Sequence, residues 1–119
     1  MQLDPNRELI RMFVERILDE IFPDETGAAR LQQVGLFTLI YMLQGEEKPI
    51  TAARISEMTG QSESQIHHQL QKLMKLKLVE RTKIPNKQGR GRAFQLSIKH
   101  NAKTKRLAAA IAKGGAGKR

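Results

Sequence analysis

The 119-residue chain has no cysteine and no tryptophan, and only four phenylalanines, one tyrosine and four prolines. Without cysteine there is no disulfide framework, no cysteine-ligated zinc site and no thiol switch. Aromatic residues make up 4% of the chain, which leaves few rings to stack on unpaired bases and argues against single-stranded RNA as the partner. No apolar run nears the roughly 20 residues that a spanning helix needs. The amphipathic opening over Asp4 to Asp24 is acidic and lacks the layout of a signal peptide. The expectation is a soluble, cytoplasmic protein without a membrane partner. Nucleotide-binding glycine motifs are missing, as is any histidine set beside a carboxylate in a glycine-bounded turn, so neither an enzyme nor a cofactor is expected. His67-His68 invites a metal reading. Neighbours on a helix point about 100° apart, however, and helix-borne ligand pairs usually lie one turn apart, so no metal is expected either.

A further absence is the most informative. From Arg81 to Arg119 there are 12 basic residues and no acidic one, whereas Met1 to Glu80 holds 9 basic against 12 acidic. The net charge of +9 therefore lies wholly in the last third. Each lysine or arginine near a phosphate releases a condensed counterion, so this segment suits a polyanion.

What is present begins with a helical stripe, Leu9, Ile10, Phe13, Ile17, Leu18 and Ile21, in a helix started by Pro5 and stopped by Pro23. Asp24 to Gly27 supplies caps for a second, largely apolar helix to about Gln44, and Gly45 to Pro49 is a polar connector. Thr51 caps a short third helix that stops at Gly60. After Gln61, Ser62 or Ser64 caps a fourth helix whose inner face is Ile66, Leu70, Leu73 and Leu76. Two helices joined by so short a turn make a helix-turn-helix. The period then changes. Residues 78–84 and 92–98 read as strands around the turn-rich 85–91, which makes a β-hairpin wing. A basic, alanine-rich helix over Asn101 to Lys113 and a disordered tail follow. The fold class is mainly α with a small β-hairpin (α+β). Its expected divisions are an N-terminal helix (1–23), a winged helix-turn-helix (24–99), a basic helix (100–113) and a basic tail (114–119).

Ile50-Thr51, Ile55-Ser56-Glu57, Gly60, Ser62 through His68, Leu70, Leu73 and Leu78-Val79-Glu80-Arg81 together resemble the MarR family of winged-helix regulators in their hydrophobic spacing. The resemblance runs over roughly Leu31 to Leu107 and implies homodimers that read pseudo-palindromic DNA. It places Arg90 at the family's wing-tip arginine. Gln88 stands where the family has an aspartate, and Lys77 where a glycine ends the recognition helix.

The expected DNA-binding face of the fourth helix is Ser62, Ser64, Gln65, His67, His68, Gln71, Lys72 and Lys75, with polar groups first for base edges and lysines later for the backbone. The wing adds Lys83, Asn86, Lys87, Gln88, Arg90 and Arg92, suited to the minor groove. Thr51 and Arg54 support the helix-turn-helix, and Leu9, Ile10, Phe13, Ile17 and Ile21 are candidates for dimerisation. The resulting expectation is a homodimeric regulator on double-stranded DNA, associated with the nucleoid. An architectural or plasmid-maintenance DNA binder with little sequence preference stays open, as does an RNA- or protein-binding winged helix. The sequence names no small-molecule effector.

Overall fold

A computed structural model describes residues 5–84 and 93–117. Their elements are α1 (Pro5–Asp19), α2 (Gly27–Leu43), α3 (Ala52–Thr59), α4 (Glu63–Lys75), β1 (Val79–Ile84), β2 (Ala93–Ile98) and α5 (Ala102–Gly117). The order is that of a winged helix-turn-helix with an additional helix before and after it in the chain. No described helix is long and apolar enough to cross a membrane. The chain divides into two compact units, residues 23–99 and residues 1–22 with 100–119.

In the larger unit each helix start is written in the sequence. Thr26, Thr51 and Ser62 stand in extended conformation, and their hydroxyl oxygens accept from the backbone N–H of Ala29, Arg54 and Gln65. Each such cap is worth about 1 kcal/mol. Of the two serines open to cap α4, Ser62 is the one used. Gly60 ends α3 at φ 79°, a left-handed conformation that glycine adopts without a Cβ penalty. The end of α4 is less expected. Lys77 takes φ 62°, its N–H donates to Met74 O, and Leu78 N–H donates to Leu73 O at 3.1 Å. This is a Schellman ending, closed by the buried pair Leu73 and Leu78, with a lysine where glycine would relax the backbone.

The core of this unit gathers Leu36, Phe37, Ile40 and Leu43 of α2, Ile55 of α3, Ile66, Leu70 and Leu73 of α4, and Val79, Leu96 and Ile98 of the hairpin. The strands pair antiparallel from Val79↔Ile98 to Ile84↔Ala93. The first strand thus starts at Val79 rather than residue 78, because Leu78 is taken up by the Schellman turn. Leu96 N–H donates to Ile50 O at 2.7 Å and ties β2 to the chain entering α3.

The smaller unit packs α1 along α5. α5 opens on a reciprocal cap: Thr104 N–H donates to Asn101 Oδ1 at 2.8 Å, and Asn101 N–H donates to Thr104 Oγ1 at 3.0 Å. Its helix runs on to Gly117, past the expected stop at Lys113, with no proline to end it. Lys118 and Arg119 lie outside the described residues. At the other end α1 stops at Asp19, a turn early. A helix carried through Pro23 would drive the proline ring into the Asp19 carbonyl, four residues back. Ile21 therefore falls beyond the helix and is 66% exposed.

Candidate nucleic-acid interface

At about 100° per residue, the polar positions of α4 separate into two groups that the sequence had placed together. Ser64, His67, His68, Gln71 and Lys75 cover one arc of roughly 100°, and all five are exposed. Gln65 and Lys72 lie about 80 to 100° away from Ser64, on the flank that borders α2. Lys72 Nζ donates to Glu25 Oε2 at 3.1 Å, and the Glu25 side chain is fully buried while that of Lys72 is only 15% exposed. Lys72 is thus part of the packing rather than of the exposed polar arc. The reason is long-range: an acidic partner 47 residues earlier in the chain draws the ammonium inward. Gln65 is exposed but lines a groove beside α2, apart from the polar arc.

Glu25 anchors a buried polar network between α2 and α4. Gln33 Nε2 donates to Glu25 Oε2 at 2.6 Å and to Gln69 Oε1 at 3.2 Å, and Gln69 Nε2 donates to Gln32 Oε1 at 3.3 Å. Arg30 Nε lies 3.8 Å from Glu25 Oε1. Gln33 is fully buried, and its Oε1 accepts no hydrogen bond among the described residues. Such a network fixes the rotation of α4 against its scaffold, because moving the helix would strip a buried carboxylate of its partners.

Thr51 and Arg54 brace the approach to the motif. Thr51 caps α3, and the Arg54 guanidinium donates to Lys48 O at 3.3 Å, to Pro49 O at 3.4 Å and to the Glu46 carboxylate, which pins the connector from α2. The turn from α3 to α4 is held by Ser56 Oγ, which donates to Gln61 O at 2.7 Å, and by Thr59 Oγ1, which accepts from Gln61 N–H at 3.1 Å.

Between the start of α3, the outer flank of α4 and the hairpin runs a groove of about 550 Å³. His67 and Gln71 line it from α4, and Arg81, Phe94 and Leu96 from the strands. Arg81 was not among the expected site residues. It lies on β1, exposed, with its guanidinium carbon 4.6 Å from the centroid of the Phe94 ring, one diagonal step across the ladder. Two signals in the sequence could have found it: it opens the segment that lacks acidic residues, and it follows the end of α4 by six positions. Glu63 also lines the groove, a negative charge that would oppose a phosphate placed at that end.

Lys83 is exposed on β1 opposite Phe94. Asn86, Lys87, Gln88, Arg90 and Arg92 lie outside the described residues. Among the described residues no group of three histidine or carboxylate side chains could hold a metal ion. Of the expected dimerisation residues, Leu9, Phe13 and Ile17 are buried within the single chain, whereas Ile10 and Ile21 are exposed, as is Leu18.

No family model matches the chain, and no curated protein matches it. Solved structures do. A possible transcriptional regulator from Methanosarcina mazei Go1 superimposes with a TM-score of 0.50 at 14% identity, over 93% of this chain and 79% of that one. The ST1889 protein of the thermoacidophilic archaeon Sulfolobus tokodaii is 21% identical over 97% of this chain and 99% of its own, with a TM-score of 0.48. At these identities the likeness to the first is one of fold, and the fold is the α+β winged helix described above.

Proposed function

We propose that this chain binds double-stranded DNA as a homodimeric transcriptional regulator, cytoplasmic and nucleoid-associated, that performs no catalysis. The observation that carries the reading is the exposed arc of α4. Its polar groups at Ser64, His67, His68 and Gln71 precede a lysine, Lys75, on a helix locked in rotation by buried bonds. A helix docked in the major groove by its first turns needs that order, base-reading groups first and backbone-contacting charge later. Arg81 and Lys83 of the hairpin add exposed basic groups, and the sequence between the two strands carries Lys87, Arg90 and Arg92, residue types suited to the minor groove. The Methanosarcina protein is described as a possible transcriptional regulator, and the spacing of residues 50–81 resembles that of the MarR family; both favour this reading. For the second copy, Ile10, Leu18 and Ile21 are the large apolar side chains exposed among the described residues of the smaller unit.

The absence of arginine from α4 favours a second reading, an architectural DNA binder with little base preference, because bidentate arginine–guanine contacts are the commonest specific ones. Selection of duplexes from a random pool, followed by anisotropy titration of selected against scrambled duplex at physiological salt, separates the two. Regulation predicts a preference of at least about 10³-fold. Equal binding of both duplexes supports the architectural reading, and binding of neither removes both.

A further inference from the structure

A second groove, on the α2 side of α4, differs in kind from the one beside the hairpin. It spans about 490 Å³ within the larger unit, among α2, α3 and α4, open to solvent along Gln32, Thr38, Thr59, Gln61 and Gln65, and none of its lining residues is charged. That is notable in a chain of which 28% is charged. Its apolar surface comes from Leu39, Ile55 and their neighbours, and Gly35 leaves it open: a Cβ at that position would meet nothing within 4 Å. The polar groups are amides. Gln32 and Gln69 are bonded to each other across the helices, but the side-chain amides of Gln61 and Gln65 make no hydrogen bond among the described residues.

We infer that this groove is a binding site for an uncharged, largely apolar small molecule bearing one or two hydrogen-bonding groups. The volume lies within the range of about 300 to 1,000 Å³ usual for such ligands. The lining decides the charge. A carboxylate or ammonium placed here would lose part of its hydration with no opposite charge in the lining to compensate, whereas a neutral ring loses little and meets the exposed amides of Gln61 and Gln65 at its polar edge. The site adjoins Gln69, which belongs to the network that fixes α4, so a bound molecule touches the group that sets that helix's rotation.

The test uses the full chain without DNA, so its failure is independent of the regulatory reading. Benzamide and indole are titrated as uncharged probes against the ¹⁵N-labelled protein, with benzoate and benzylamine as charged counterparts. The site predicts saturable shifts clustered at Gly35, Thr59, Gln61 and Gln65, with the charged pair at least about tenfold weaker. Gly35→Leu projects a side chain into the groove and favours the helix, so it should keep a dispersed spectrum and lose the shifts. Scattered or non-saturating shifts, equal binding of charged probes, or unchanged binding to Gly35→Leu would overturn the assignment. So would a finding that the same amides shift on dilution alone, with a change in sedimentation, because the face would then join two copies of the chain.

Discussion

At the scale of single residues, Arg81 and Glu25 carry opposite kinds of consequence. Arg81 is exposed beside Phe94, and the proposed function gives it a part in binding. Arg81→Ala should weaken every duplex alike and lower the slope of log affinity against log salt by about one unit, as for one lost phosphate contact. A slope that does not move takes Arg81 off the DNA. Glu25 is buried and its contribution is to stability. Glu25→Gln leaves the Lys72 ammonium short of its carboxylate and should cost about 3 to 5 kcal/mol in urea denaturation. Adding Lys72→Met should restore at least half of that; a double variant no better than the single one would show that the ion pair is not what is lost. His100 supplies the pH dependence. Burial, and then the charge of Lys105, holds it below its ordinary value of 6.5, while its ring meets Phe13 edge-on at 5.7 Å. The unfolded chain therefore takes up the proton first as pH falls. The stability due to neutral His100 is complete above about 6.5 and is lost as the pH drops through the folded-state value. An imidazole titration by NMR with a midpoint at or above 6.5 would contradict this.

At the scale of elements, helix ends explain what the sequence disclosed and what it withheld. Thr26, Thr51, Ser62, Gly60 and Asn101 act on groups within four residues of themselves, so local chemistry alone located all five of the helix starts or stops they govern to within a residue or two. The orientation of Lys72 was hidden because its partner is distant in the chain and a lysine on a polar helix is ordinarily solvated. The same holds for Leu9, Phe13 and Ile17, whose stripe is the same whether α5 or a second copy covers it. The sequence pattern puts Arg81 on a strand but does not show that it lines one groove with His67 and Gln71 of α4. The ending of α4 gives a prediction at this scale. Lys77 holds φ 62° at a position that also closes the Schellman bonds, so Lys77→Gly should stabilise the chain by up to about 1 kcal/mol. Destabilisation would mean that the lysine side chain holds something worth more than the strain.

At the scale of the whole molecule, charge is divided along the chain, with 12 acidic residues before Arg81 and none after it. The hairpin and the last helix each attract a polyanion, and the acidic residues that precede them repel it weakly. Because one recognition helix reads only a few base pairs, a regulator of this size is expected to load two copies on one operator. Sedimentation of the complex with selected duplex should give two chains per duplex, and a single chain at saturation would remove the dimer. The Glu25–Lys72 pair has a consequence on a much longer timescale than any of these. Glu25 cannot drift to a neutral side chain alone without depriving both the Lys72 ammonium and the Arg30 guanidinium of the carboxylate they share. Substitution at position 25 should therefore be accompanied by substitution at 72, and proteins descended from a common ancestor should show positions 25 and 72 changing together, although they lie 47 residues apart.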